Sequence, residues 1–464
     1  MAQRQLYVVA LRKEIIMSTY PPLVKQDNLR AVLSADPPRF LSNCRKTHGD
    51  VFTLDLPTPV TYMLDPTQFK TLLTSTAVDF TPISQQSKRR FDLDLLVETE
   101  EDVRALSQAF VRSLRGSTLK ETLVRLESSL KRHVAAFRAA ESGSFTVDMQ
   151  DLVDETLVPA SIEALFGSQV LYEGLSQDVR VFSEAVPSRL AGADIRLDPV
   201  SRDAEDRLMA AFGNCLYGEQ VTPLVASMTE ELFADKQARD RSRIRALLMI
   251  MWGSLVNLRS STVWMAAQIF NAPGLADDLR AALAKDDTTL AVSVVMETLR
   301  LHSRPNIYRA VIEDLPLTLQ DGSGVTLPAN GWVALFPRFK HHDPATFQDP
   351  LVFRPDRFIV SAEDKAAGHN PALDLMIFGT GRGRCPGDGY ANAAMLLIMK
   401  VWLGQFENRG RAQTELPPAV LQTVSSTPAP AEPIYLTLAH RRQQSGSRVG
   451  QGSWLSRLGS LLSR

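Results

Sequence analysis

The sequence is short of cysteine, has no long apolar run and carries no excess of charge of either sign. Cys44, Cys215 and Cys385 are its three cysteines in 464 residues. That is too few for a disulfide framework, so the fold rests on a buried core, and the pattern suits a reducing compartment. The apolar run from Tyr7 to Leu11 is broken by Arg12, Lys13 and Glu14, and Ile15 to Met17 is too short to resume a membrane span. With 51 Lys and Arg against 52 Asp and Glu, the net charge of -1 argues against nucleic acid as a main partner. No internal repeat is present. The chain as a whole, 44% hydrophobic, is enough for one large core.

Three regions differ in composition. Residues 1–25 read as an N-terminal extension ending at Pro21-Pro22. Residues 26–440 read as a single domain, mainly α-helical with small β-sheets. Within it, 51–54 and 60–64 are strand-like, 82–100 form a polar loop, and 103–283 are mostly helical with turns near Gly116, Gly143, Pro187 and Pro199. A long helix runs from about Ser242 to Phe270. Short strands alternate over 310–335 around Asp321-Gly322, residues 337–375 are loop-rich, and Ile434 to Leu438 read as a last strand. Residues 441–464 form a basic Ser/Gly-rich tail with five arginines and no acidic residue. Trp454, Leu455, Leu458, Leu461 and Leu462 share one face if it is helical, with Arg457 and Arg464 placed for anionic headgroups. The alternative is a disordered tail, and Gly459 weakens a helix there.

The most informative run is Phe378-Gly379-Thr380-Gly381-Arg382-Gly383-Arg384-Cys385-Pro386-Gly387, which leads directly into an apolar helical stretch from Tyr390 to Leu403. A thiolate that ligates metal needs an electropositive, hydrogen-bonding seat. The glycines let backbone close around the sulfur, and a helix starting here turns its positive end toward it. Upstream, Glu297 and Arg300 stand at i and i+3, on one face of a helix, in reach of an ion pair. Phe353-Arg354-Pro355-Asp356-Arg357-Phe358 adds a further arginine between that pair and the cysteine.

These three motifs, in this order and spacing, resemble the cytochrome P-450 family of haem-thiolate oxygenases. The resemblance implies that family's fold, with haem b between the long central helix and the cysteine-loop helix. Cys385 would be the axial iron ligand, with Phe378, Gly381 and Gly387 shaping its loop. Glu297, Arg300 and Arg357 would form a buried structural network on the cysteine side. Gly383 stands where the family carries a basic residue for a haem propionate. Arg309, on the strand-like segment after Glu297, is the choice for that partner instead. Arg382 and Arg384 flank the gap.

On the oxygen side the resemblance departs from the family's usual pattern. An acid followed by Thr normally organises water and delivers protons. Here the helix reads Trp252-Gly253-Ser254-Leu255-Val256-Asn257, with Val256 and Asn257 at those places and Trp264 seven residues on. An amide donates and accepts hydrogen bonds but does not ionise near neutral pH. Asn257 as a distal-pocket residue, with Gly253 leaving a groove beside it, are the catalytic choices. This segment, with the runs Phe40 to Thr53 and Phe110 to Gly116, resembles the branch of the sterol 7α- and 12α-hydroxylases and prostacyclin synthase.

The resemblance implies a monooxygenase that oxidises a bulky apolar small molecule (a sterol, terpenoid or other lipid) with O2 and electrons from an NAD(P)H-dependent reductase or ferredoxin. Val181-Phe182 and Leu190-Ala191 are apolar segments that suit either such a pocket or the core. Two alternatives stand beside it: a reductase-independent isomerase or dehydratase of a lipid peroxide, and a non-catalytic haem protein. A monomer is expected, cytoplasmic or in peripheral contact with a membrane.

Overall fold

The structure is a computed structural model that describes residues 19–82, 108–109, 111–140, 143–190, 195–217, 221–230, 240–303, 306–368, 370–381, 384–410, 415–420 and 427–441. The polar loop expected over 82–100 lies, beyond residue 82, outside the described residues. The tail does so from residue 442 onward.

The fold is mainly helical with small sheets. Its helices are α1 (Leu29–Ala35), α2 (Pro37–His48), α3 (Phe69–Thr74), α4 (Gly116–Ala140), α5 (Met149–Phe166), α6 (Leu175–Leu190), α7 (Pro199–Tyr217), α8 (Pro223–Met228), α9 (Asp240–Asn271), α10 (Leu275–Ala284), α11 (Thr289–His302), α12 (Arg338–His341), α13 (Ala362–Ala366) and α14 (Asp388–Gln405). Its strands are β1 (Leu23–Val24), β2 (Val51–Leu54), β3 (Val60–Met63), β4 (Val78–Asp79), β5 (Ser144–Asp148), β6 (Ile307–Val311), β7 (Leu315–Thr318), β8 (Gly324–Leu327), β9 (Trp332–Leu335), β10 (Phe406–Asn408) and β11 (Tyr435–His440).

The main core is built on helices that are apolar on more than one face. The 32 residues of α9 give a rod about 48 Å long. From Leu258 to Phe270 nearly every side chain of α9 is buried. A helix apolar all round has no solvent face to keep, so it becomes the axis on which others pack. α14 behaves the same way, with Tyr390, Ala393 to Met399 and Val401 to Leu403 buried. α9 packs against α5, α7, α11 and α14, and α4 packs against α5 and α14.

Six strands form the larger sheet, in the order β1-β2-β3-β9-β6-β4. β3 runs parallel to β9, with Val60 opposite Trp332 and Met63 opposite Leu335. β6 and β9 are antiparallel and pair Arg309 with Val333. β10, β11 and β5 make a second, antiparallel sheet, and β7 with β8 a hairpin.

Three sequence expectations change. Leu23–Val24, within the expected extension, pairs with β2 as the edge of the larger sheet. Pro187 lies inside α6 rather than at a turn, whereas the turn expected near Pro199 stands, since that proline opens α7, where a missing N–H costs nothing. β5, inside a stretch read as helical, is a strand because Ser144 to Asp148 find a partner in Ala439 to Tyr435.

Candidate functional site

Cys385 sits in the loop that enters α14, whose N-cap is Gly387. The Cys385 backbone N–H donates to the Phe378 carbonyl at 2.8 Å, closing the loop on itself. Two glycines bend the intervening backbone into the left-handed region, Gly379 at φ 68° and Gly381 at φ 66°. At Gly381 the requirement is double, because a Cβ there would lie 2.5 Å from the Leu73 carbonyl oxygen of α3. Gly387 has an ordinary φ of -93°. A Cβ on it would stand 3.9 Å from the Cys385 sulfur, so glycine leaves that side of the thiol open.

Cys385 is exposed on one side, yet enclosed closely enough that desolvation pushes its thiol up from the ordinary range. The nearby Asp388 carboxylate acts in the same direction, while a Gly387 backbone hydrogen bond and the Arg384 charge pull it down. Arg384 itself pairs with Asp388 at 2.6 Å. Arg382 and Gly383 lie outside the described residues.

Glu297, Arg300 and Arg357 come together. Glu297 and Arg300, both fully buried on α11, form a bidentate pair at 2.7 and 2.9 Å. Arg357 Nε donates to both Glu297 oxygens at 3.0 Å, and the Arg354 backbone N–H adds another bond at 3.0 Å. The excess positive charge is met by carbonyls. Arg300 donates to those of His341 and Pro350, and Arg357 to those of Gln348, Asp349 and Val352. A buried charge set that is fully hydrogen-bonded in this way fixes the shape of the irregular loop around it.

His341 is a residue that the sequence reading missed. It is fully buried at the end of α12. Its carbonyl accepts from Arg300, and its Nε2 accepts the Met376 backbone N–H at 3.1 Å, two residues before Phe378. It thus ties the carboxylate–arginine network to the start of the cysteine loop. Burial and the Arg300, Lys340 and Arg338 charges push its pKa down to about 3, so it is neutral at physiological pH.

On α9, Gly253 and Asn257 are both exposed, although the helix around them is mostly buried. Their spacing of four residues puts them on one face. A Cβ on Gly253 would meet nothing within 4 Å. Asn257 Oδ1 accepts the Thr427 backbone N–H at 2.7 Å. Arg309, on β6, is buried; its Nη1 donates to the Tyr308 carbonyl at 2.7 Å and its guanidinium lies 5.2 Å from the Phe80 ring centre. Phe182 belongs to the main core, and Ala191 lies outside the described residues.

Residues 285–436 match the family model described as Cytochrome P450. Among curated proteins, the chain is 25% identical over 434 residues to Cytochrome P450 7B1 of Mus musculus, covering 83% of this chain and 84% of that protein. It is 23% identical to Cytochrome P450 7A1 of Rattus norvegicus, covering 65% and 68% respectively. With Cholesterol 7-alpha-monooxygenase of Cricetulus griseus the identity is 24%, again over 65% and 68%.

Proposed function

As this chain belongs to the cytochrome P450 family, with a thiolate-ligated haem and monooxygenase chemistry, we propose that it hydroxylates a sterol-sized apolar substrate, using electrons from an NAD(P)H-linked reductase. The names of its relatives, cholesterol 7-alpha-monooxygenase among them, support that substrate class.

The residues present fit a haem. Among the described residues no group of three His, Cys, Asp or Glu could complete a metal shell. A single open thiol such as Cys385 suits an iron whose other ligands come from a porphyrin. In this reading Cys385 is the axial ligand, Phe378, Gly381 and Gly387 shape its seat, and Arg309 is the partner of a haem carboxylate. Glu297, Arg300 and Arg357 hold the loops in register and take no part in the chemistry. When bound, the haem supplies the oxidising chemistry. The protein supplies the thiolate and the orientation of the substrate.

What supports this reading is an open cysteine at the mouth of α14 together with an exposed Gly253–Asn257 face on α9, a helix that packs against α14. Asn257 holds no titratable proton, so proton delivery falls to water ordered by its amide. The Gly253 notch leaves room beside that amide. Among the described residues no helix is long and apolar enough to cross a membrane.

The test is turnover by the haem-loaded chain on sterols, terpenoids and lipid peroxides, with and without reductase, NADPH and isotopically labelled O2. A labelled sterol product that needs the reductase supports the proposal. Rearrangement of a lipid peroxide without reductase or O2 would replace it with the isomerase reading.

A further inference from the structure

Three side chains on one stripe of α9 grip the same two residues of a distant loop. Asn257 Oδ1 accepts the Thr427 backbone N–H at 2.7 Å. Ser261 Oγ donates to Thr427 Oγ1 at 3.3 Å. Trp264 Nε1 donates to the Pro428 carbonyl at 2.8 Å. Positions 257, 261 and 264 are spaced by four and three residues, the repeat of a single helix face. From the other side, Ser303 Oγ lies 3.3 Å from Thr427 Oγ1. His302 stacks flat on Trp264, ring centres 4.0 Å apart. Thr427, Ser261 and Ser303 are all buried. In such surroundings a lost hydrogen bond is not replaced by water, so the arrangement is held firmly.

The consequence falls on Asn257. A backbone N–H can meet only an acceptor, so the bond from Thr427 decides which way the amide faces. Its oxygen is turned to the loop. What remains for the exposed face of α9 is the NH2 edge, which only donates.

We infer that Thr427 is a positioning residue for Asn257: by occupying Oδ1 it makes the amide a fixed hydrogen-bond donor toward an acceptor atom of a diatomic ligand on the haem. This rests on the reading above that Asn257 faces the haem. It goes beyond it in assigning the polarity of the amide and the residue that sets it. An asparagine with a free oxygen would both donate to and accept from a water on that face; this one turns its NH2 to it and its oxygen to the loop. Thr427 gains its role through its anchors. Ser261 and Ser303 hold its side chain, so that its N–H stays aimed at Asn257.

The experiment uses the haem-loaded full chain with two readouts: backbone hydrogen exchange at residue 427, and the stretching frequency of bound carbon monoxide as a probe. Asn257→Asp keeps the acceptor and removes the donor. Protection at 427 should therefore stay as in the native chain, while the carbon monoxide band moves to higher frequency. Thr427→Val removes the anchoring hydroxyl but keeps the N–H. Protection at 427 should fall about tenfold, the loss of roughly one hydrogen bond, and the band should broaden or split. Thr427→Ser should restore both. If Thr427→Val leaves the band and the protection unchanged, the positioning role is refuted. If Thr427→Val lowers protection while neither it nor Asn257→Asp moves the band, the clamp exists but Asn257 does not face the haem. That result would overturn both this inference and the reading beneath it.

Discussion

Mild acid should weaken this fold through His341, by an amount that follows from its position. His341 is fully buried, and its Nε2 accepts the Met376 N–H. Protonation at Nε2 would turn an acceptor into a donor facing another donor, beside the Arg300 charge. Burial first, and then the Arg300, Lys340 and Arg338 charges, lower its folded pKa to about 3 from an unfolded 6.5. Between those values the unfolded chain binds a proton that the folded chain refuses. Stability is full above pH 6.5 and is lost as pH falls below it. From pH 7.5 to 5.0 the loss from this one side chain is about 2 kcal/mol. The assay is denaturant unfolding at fixed haem loading, followed by tryptophan fluorescence at both pH values. His342, whose pKa burial and the Arg338 charge also lower, titrates in the same window and adds to the total. The decisive comparison is therefore His341→Gln, which keeps an acceptor for Met376 and cannot titrate. Its acid loss should be smaller than that of the native chain by about 2 kcal/mol. Equal losses in the two proteins would refute the reasoning.

Other substitutions separate the parts of the site. Cys385→Ser should abolish the thiolate-ligated haem spectrum, read as the absorption of the reduced carbon monoxide complex. Gly381→Ala should destabilise by about 1–3 kcal/mol, since it places a Cβ against the Leu73 carbonyl at a positive φ; a thermal midpoint equal to the native one would contradict the packing. Gly253→Ala, with open space around it, should leave that midpoint unchanged or raise it slightly, yet weaken binding of the apolar substrate in spectral titrations. Arg357→Ala should cost about 3–5 kcal/mol, because Glu297 loses a buried partner and three carbonyls lose their donor; a loss under 1 kcal/mol by denaturant midpoint would show that Arg300 alone suffices.

What was legible in the sequence was local. Gly381 and Gly387 stand at fixed offsets from Cys385, and Glu297 and Arg300 are a helical turn apart, so short spacing exposes the chemistry. The apolar lengths of α9 and α14 are visible for the same reason. Long-range partners were not legible. β5 is a strand because residues 435–439 lie beside it, and nothing within Ser144 to Asp148 says so strongly enough to outweigh the flanking helices. Pro187 reads as a break, but tertiary packing keeps α6 helical through it. His341 and Thr427 were missed because each meets the site through a main-chain hydrogen bond, which carries no side-chain signature. Asn257 could be singled out by type and place, but not the orientation of its amide.

The parallel pairing of β3 with β9 has a consequence for how the chain is born. Val60 to Met63 form the edge that Trp332 to Leu335 must cover. On a ribosome adding about 5–20 residues each second, those partners emerge roughly 15–55 s apart. Throughout that interval the β2–β3 hairpin holds an unpaired apolar edge, the kind of surface that recruits other nascent chains. The larger sheet therefore closes late in synthesis, and until it does the early hairpin gains from a chaperone's protection.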